Sequence, residues 1–269
     1  MQVNIPIKAN SKKKADSNNK SHQKVNIIYL LVILLISFLA YLPVLHNGFV
    51  NWDDDQYIQE NWIIHTFNIK EIFTGYFMGN YHPLTMLVLA IEYKLFGIAP
   101  TGYHLINLLI HLLNIILVYK LIVLLSDKKY VALIACLLFG IHPIHVESVA
   151  WVSELKDLLY AFFFLLSIIY YLKFIKSGDK IFYFYSLLLF LPALLSKAMA
   201  ASLPLAMLLI DYFMGRKINL KNFLEKIPFF IIALIFGVLA IFARRRQALL
   251  QMILFLHYHI ELYSHVMVL

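Results

Sequence analysis

The chain has 269 residues, of which 62% are hydrophobic and only 14% are charged, and its mean hydropathy is +0.77. A soluble domain is about 45–50% apolar and about 25% charged, so the composition excludes a soluble globular protein and predicts an integral membrane protein. The net charge is +8, but the basic residues occur in short blocks between apolar runs. This distribution argues against a nucleic-acid-binding surface.

The amino-terminal segment, residues 1–24, contains six lysines and one acid and is otherwise rich in Ser and Asn. This composition predicts a disordered basic tail on the cytoplasmic side. The apolar run that follows, residues 25–45, is too long for the apolar part of a signal peptide and lacks a clear cleavage site. We therefore predict that it is retained as the first membrane span.

Further apolar stretches of roughly spanning length predict an all-α fold, a polytopic transmembrane helical bundle of about seven spans covering residues 25–243. Those of about 15 to 17 residues are shorter than a usual span, which suits helices that end in a protein-lined cavity. The six stretches after the first lie near residues 104–125, 130–149, 157–175, 181–195, 200–214 and 227–243.

Lysine and arginine in the loops predict which side of the membrane each loop faces. The basic loops are residues 127–129, 173–180 and 216–226, and the positive-inside rule places them with the amino terminus in the cytoplasm. The unusual polar segments then share the extracytoplasmic side. They are the outer loops 46–103 and 142–157 and the turn 196–199.

Three consecutive acids, Asp53, Asp54 and Asp55, follow the first span closely. Carboxylates packed this tightly are typical of a general base or a metal site. The alternative is an Asx-rich turn or helix cap whose charges are solvated.

Later in the same loop, the His82-Pro83 pair predicts that His82 lies in an extended turn, because proline disfavours helix at the residue before it. The apolar segment Leu84–Phe96 contains Glu92 and Lys94 and is too short to span. We predict an interfacial amphipathic helix that lies beside the site.

The second span carries four polar residues at helical spacing: His104, Asn107, His111 and Asn114. They occupy one face of the helix, which must turn toward other helices or a cavity. Interhelical hydrogen bonds are the simpler explanation, and a functional site is the alternative.

The second outer loop is unusually polar, and two sites are predicted from it. His142, His145 and Glu147 form a candidate metal triad for Zn or Mn, which makes a divalent metal a candidate cofactor. Alternatively Lys156 faces an anionic group while Glu154 and Asp157 hold its ammonium in place. The simplest reading is a solvated loop with helix caps.

Lys197 is the single cation of the outer turn before the sixth span. Its side chain either snorkels to the membrane interface or pairs with the outer-loop acids or an anionic lipid headgroup.

Several of these segments together resemble the membrane part of the tetratricopeptide-containing protein O-mannosyltransferase-like family, which has the GT-C fold. The resemblance covers about residues 25–243 in order, and it is more specific for the family than for a substrate. Its motifs are FVNWDD (49–54), YHPLT (81–85), GYHLINLLIHLLN (102–114), HPIHVESVAWVSELKDLL (142–159), SKAM (196–199) and LLIDY (208–212).

The resemblance implies an inverting glycosyltransferase, which moves a sugar from a polyprenyl-phosphate donor to a Ser or Thr hydroxyl of a protein acceptor outside the membrane. Asp53 and Asp54 match the family's catalytic acidic pair, and Asp55 lies outside it. Lys156 and Lys197 match its basic positions. With them, His82, His142, His145 and Glu154 are predicted to bind substrate or phosphate. The resemblance is to bacterial proteins, which implies the inner (plasma) membrane.

The chain departs from the family pattern at two cationic motifs. Leu155 stands where an arginine is common, and Ala198 stands where a proline is common, so phosphate binding is expected to be weaker. No repeat of about 34 residues is found, which leads us to expect a truncated chain. Arg244–Arg246 would lie outside, against the charge bias, so we hypothesise that a frameshift or premature stop produced the atypical tail 244–269; a short interfacial helix is the alternative.

Two other classes of protein fit a bundle with buried polar groups. A transporter component would bury them at mid-membrane depth, although no paired internal repeat is found. A non-catalytic membrane scaffold would use them only to hold helices together. The single cysteine, Cys136, can form no intrachain disulfide, and it gives no information about the redox compartment.

Overall fold

The computed structural model describes residues 27–217 and 219–266. Within these ranges the chain is helical and contains no strand, only an isolated bridge between Phe77 and Asn80, which confirms the all-α fold. The predicted tail 1–24 lies outside the described residues. In chain order the helices are α1 (Ile27–His46, ending in the 3-10 turn Leu42–His46), α2 (Trp62–His65), α3 (Ile69–Thr74), α4 (Pro83–Phe96), α5 (Pro100–Ser126), α6 (Lys129–Ile141), α7 (Val146–Ala150), α8 (Leu155–Ser177), α9 (Lys180–Ser196), α10 (Leu203–Phe213), α11 (Leu220–Leu224) and α12 (Ile227–Val266).

Four helical segments of the described chain are long and apolar enough to cross a membrane. They contain α1, α5, α8 and α12, which makes the protein polytopic. A fifth crossing is formed if α6 is counted with the segment Pro143–Ala150, which is bent from it by 50°. The shorter apolar segments are α9 and the run Ala198–Phe213 that contains α10. Helix length therefore supports four or five spans and leaves the predicted count of seven unconfirmed.

The bundle is organised around α8, which packs along α5 on one side and α9 on the other. At the carboxyl end of α8, an apolar core forms between α8, α9, α10 and α12 around Tyr171, Phe190 and Phe229. At its amino end, a second core joins α8 to the first outer loop and includes Tyr57, Met86 and Leu155. The first outer loop is thus a folded unit attached to one end of the bundle.

Helix α4 is part of this second core. Met86 and Leu89 are fully buried, and Thr85 Oγ1 donates a hydrogen bond to the carbonyl of Ser196 (3.0 Å). Glu92 is only 2% exposed, and burial raises the pKa of its carboxyl well above the usual value. The packed face of α4 therefore includes Glu92, and the interfacial position of this helix stays a prediction.

The polar face predicted for the second span lies inside the bundle, where His104, Asn107, His111 and Asn114 are all buried. Because this face is turned away from lipid, its amides and imidazole bond to neighbouring helices. The contacts are Asn107 Nδ2 to the carbonyl of Trp151 (3.2 Å), His111 Nε2 to the carbonyl of Gly140 (3.0 Å) and Asn114 Nδ2 to the carbonyl of Leu158 (3.0 Å). For these three residues the interhelical explanation is confirmed.

Candidate functional site

The candidate site lies where three distant segments of the chain meet. The first outer loop brings Asp53 and Asp54, the start of α8 brings Glu154, Lys156 and Asp157, and the turn between α9 and α10 brings Lys197. Five of the residues singled out from the sequence therefore belong to one charged cluster, which we call the outer charge cluster: Asp53, Glu154, Lys156, Asp157 and Lys197.

Asp54 is fully buried, and both of its oxygens accept backbone hydrogen bonds. Its Oδ2 accepts from the N–H of Val50 and its Oδ1 accepts from the N–H of Ser153, each at 2.9 Å. Ser153 is 99 residues away in sequence. The carboxylate therefore fastens the first outer loop to the turn that begins α8, with one backbone hydrogen bond to each of its oxygens.

Asp53 points the other way. Its side chain is 26% exposed, and its Oδ2 lies 3.9 Å from Nζ of Lys156. Asp55 begins the π-helical turn Asp55–Gln59 and is not part of the outer charge cluster. Of the three consecutive acids, Asp53 is thus the one that combines solvent access with a nearby cation.

Acids and cations alternate along the outer charge cluster. Lys156 Nζ lies 2.8 Å from Oε1 of Glu154, whose Oε2 is 3.8 Å from Nζ of Lys197. Lys197 in turn bonds directly to Asp157. The predicted pairing of Lys197 with outer-side acids is confirmed, whereas the prediction that Asp157 holds Lys156 is wrong, because Asp157 is already the closest partner of Lys197.

Lys156 also lies near two ring side chains, those of His82 and Tyr57. His82 is 2% exposed and packs against the Tyr57 ring, with ring centroids 5.4 Å apart. Burial, together with the nearby positive charges of Lys156 and Lys197, lowers the pKa of His82 to about 3, so its imidazole is neutral at physiological pH. Pro83 begins α4, and His82 before it lies outside the helix with φ −143° and ψ 60°. The predicted non-helical backbone is confirmed, but the predicted extended conformation is wrong because ψ is too small.

Three aromatic residues of this site were not predicted from the sequence. The ammonium of Lys156 lies 5.2 Å from the centre of the Tyr57 ring, and burial raises the pKa of the Tyr57 hydroxyl. Trp52 and Trp151 stack with their ring centroids 5.8 Å apart, and Trp52 is 73% exposed. The only signal in the sequence is that Trp52 directly precedes Asp53 and that Trp151 closely precedes Glu154.

The second outer loop does not form the predicted metal triad. Nδ1 of His142 accepts a hydrogen bond from the N–H of Ile144 (3.1 Å), which caps a short 3-10 turn, and the His145 ring packs on Phe139 at 4.4 Å between centroids. Among the His, Cys, Asp and Glu side chains that the structure describes, no three come together as a metal site. The triad prediction, with Glu147 as its third ligand, is therefore wrong.

The Arg244–Arg246 run lies beside the first outer loop. The Arg246 guanidinium is 5.6 Å from the centre of the Tyr76 ring, and Gln247 contacts the backbone at Gly79. Gly79 has φ +72°, and a Cβ there would lie 2.4 Å from Oε1 of Gln247, so this contact requires glycine. The arginines thus share a side with the loop that carries Asp53, as the alternation of spans predicted.

Comparison with known proteins identifies the family to which this architecture belongs. Residues 81–256, more than half of the chain, match the model of a family described as dolichyl-phosphate-mannose-protein mannosyltransferase. The chain belongs to this family. The match continues past residue 243, where the resemblance noted from individual motifs ends.

Curated relatives agree with this assignment. The chain is 35% identical over 155 residues to mouse (Mus musculus) protein O-mannosyl-transferase TMTC3, covering 53% of this chain and 17% of that protein. It is 37% identical over 115 residues to human (Homo sapiens) protein O-mannosyl-transferase TMTC4, covering 38% of this chain and 16% of that protein.

A Caenorhabditis elegans relative, protein O-mannosyl-transferase F38B6.6, is 29% identical over 212 residues, which is 74% of this chain and 30% of that protein. The chain thus spans less than a third of the length of each of these relatives. No solved structure gives a significant match to the chain.

Proposed function

We propose that this protein is a membrane glycosyltransferase that moves a sugar, most simply mannose, from a polyprenyl-phosphate donor to a Ser or Thr hydroxyl of a protein acceptor. The outer charge cluster carries the proposal, because it joins an accessible carboxylate to two cations on one side of the bundle. Family membership and the names of the relatives, all protein O-mannosyl-transferases, support it.

In the proposed reaction Asp53 is the general base. Its carboxylate takes the proton of the acceptor hydroxyl, whose oxygen attacks the anomeric carbon of the sugar. The bond between that carbon and the donor phosphate breaks, and the configuration of the carbon is inverted. Asp54 is a positioning residue, since its two backbone hydrogen bonds fix the segment that presents Asp53.

The leaving group is a lipid phosphate, which needs cations rather than an acid. Lys156 and Lys197 supply them, and Glu154 holds both ammonium groups between its two oxygens. Leu155 replaces an arginine of the family pattern, which leaves these two lysines as the cations of the cluster. The exposed stack of Trp52 on Trp151 offers an aromatic surface for the sugar ring.

The same proposal places the reaction on the extracytoplasmic side of a bacterial inner membrane, with the amino terminus in the cytoplasm. The basic turns that contain Asp127 and Lys176, which are joined by an ion pair of 3.5 Å, lie at the far end of the bundle. His142 and His145 remain proposed substrate contacts in the second outer loop.

A transfer assay tests this function directly. Membranes that contain the chain are supplied with a radiolabelled polyprenyl-phosphate sugar and a Ser- and Thr-rich acceptor protein. We expect label that mild alkali releases from the acceptor by β-elimination. If the folded, inserted chain transfers no sugar from any such donor, the enzyme assignment is overturned in favour of a scaffold or transporter component.

A further inference from the structure

A second site lies at the carboxyl end of α8, away from the outer charge cluster. A cavity of about 790 Å³ opens between the α8–α9 turn and α11, and we call it the basal pocket. Phe174, Tyr183 and Leu224 supply its apolar wall, and Lys180, Lys221 and Arg216 supply its cations. Lys156 and Tyr171 are 15 positions apart on α8, so this end lies roughly 22 Å from the outer cluster.

Arg216 is held in place by two acids, the buried Asp211 and the half-buried Glu225. Its NH2 lies 2.8 Å from Oε2 of Glu225, and its NH1 lies 3.5 Å from Oδ2 of Asp211. Asp211 also accepts from the hydroxyl of Tyr171 at 2.6 Å and pairs with the fully buried Lys226. These contacts fix α8, α10 and the start of α12 to one another. They also pair the charge of Arg216 with acids of the protein itself.

The two lysines of the basal pocket are different. Both are exposed, and in the described part of the chain no carboxylate lies within 4.0 Å of either ammonium group. The adjacent Asp179 does not pair with Lys180, because its Oδ1 caps α9 by accepting from the N–H of Ile181 at 3.0 Å. The pocket therefore presents two uncompensated positive charges.

Helix α11 has a composition that suits a position at a membrane surface. It has no buried residue, and it exposes Leu220 (74%), Phe223 (46%) and Leu224 (49%) next to Lys221. A short helix with large exposed apolar side chains and a lysine suits the boundary between headgroups and acyl chains. The apolar wall and the two free cations then match the two ends of one ligand, a lipid with an anionic headgroup.

We infer that the basal pocket binds an anionic phospholipid. Lys180 and Lys221 contact its phosphate, and Phe174 and Leu224 contact its acyl chains. Bound there, the lipid bridges the turn before α9 to α11, and so stabilises the connection between α10 and α12. This inference does not depend on the proposed transferase activity.

Thermal unfolding of the full chain in detergent tests the inference. The probe is phosphatidylglycerol, compared with phosphatidylcholine of the same acyl chains and with inorganic phosphate. We expect phosphatidylglycerol to raise the melting temperature more than either of the others does. Native mass spectrometry should show the same preference as retained lipid.

The variant for this test is Lys180→Gln/Lys221→Gln, and Lys128→Gln is its matched control. Lys128 is also exposed, and its neighbour Asp127 pairs with Lys176, so it lies at the same end of the bundle but outside the pocket. We expect the double variant to lose most of the phosphatidylglycerol effect and Lys128→Gln to keep it. Equal effects of the two phospholipids, equal losses in both variants, or a full effect of inorganic phosphate would each overturn the inference.

Discussion

At the scale of single residues, two adjacent acids have opposite environments. Asp54 is buried between two backbone N–H groups, whereas the side chain of Asp53 is 26% exposed beside Lys156. The sequence motif could identify the pair of acids but not which of them is buried and which is exposed. That difference depends on the hydrogen bond from Ser153, which the fold brings from the second outer loop to Asp54. The same is true of Tyr57, whose contact with Lys156 has no counterpart in sequence spacing.

The environment of Asp54 predicts a structural cost for its amide variant. In Asp54→Asn the NH2 group must face one of two backbone N–H donors, so a buried hydrogen bond is lost. We expect the free energy of unfolding to fall by about 1–3 kcal/mol, which thermal unfolding in detergent would measure. Unchanged stability would show that the two backbone hydrogen bonds of Asp54 contribute little.

His82 predicts a dependence of stability on pH. Its pKa is about 3 in the folded chain and 6.5 as the ordinary value. Between these values only the unfolded chain binds the proton, so the stability contribution is complete above about pH 6.5 and is lost as the pH falls toward about 3. Between neutral pH and about pH 5, the free energy of unfolding should fall by about 2 kcal/mol because of His82.

The measurement compares the wild-type chain with His82→Phe at about pH 7 and about pH 5. The variant lacks the titrating group, so its melting temperature should fall less on acidification. An equal fall in both proteins would mean that His82 is not the group responsible.

At the scale of helices, the apolar pattern correctly predicted the all-α class of fold, and its count of seven spans stays unconfirmed. The polar face predicted for α5 was confirmed, because its four polar residues repeat at helical spacing and are buried inside the bundle. Helix α4 contains a feature that the pattern did not predict, because Glu92 is buried among apolar neighbours and this burial raises the pKa of its carboxyl. A periodic pattern contains no information about such a pKa change, which depends on packing from other helices.

Close packing of α6 against α1 gives a prediction at this scale. A Cβ at Gly140 would lie 2.4 Å from Oγ of Ser37 and 3.0 Å from Cδ1 of Ile115, whereas Gly237 in α12 has no atom within 4 Å. Gly140→Leu should therefore destabilise the bundle by about 1–3 kcal/mol through overpacking. Gly237→Leu is the matched control, and it should be neutral or stabilising because leucine favours helix more than glycine does. Equal melting temperatures of the two variants would contradict the close approach of α1 and α6.

At the scale of the whole molecule, two charged clusters occupy the two ends of α8. The outer charge cluster contains three acids and two lysines, and the second cluster joins Asp211 and Glu225 to Arg216 and Lys226. The loop charges predicted this separation, since basic loops alternate with polar outer loops along the chain. The contacts within each cluster could not be predicted, because each joins residues from separate helices.

Cysteine labelling tests the arrangement across the membrane. Gly48 has open space around it and precedes Asp53, Ser177 is exposed at the end of α8, and the native Cys136 is buried. In sealed vesicles with the extracytoplasmic face outward, a membrane-impermeant maleimide should label Gly48→Cys directly and Ser177→Cys only after permeabilisation. Labelling of both from the same side would contradict the topology.

Asp53 is the proposed base of the sugar transfer, and amide variants of two neighbouring acids test this role. Asp53→Asn and Asp55→Asn are assayed side by side for transfer from a radiolabelled polyprenyl-phosphate sugar, after thermal unfolding has shown that both are folded. Loss of a general base lowers the rate by about 10²–10⁴-fold. We predict that loss for Asp53→Asn and near wild-type transfer for Asp55→Asn, whereas full transfer by Asp53→Asn would contradict the account.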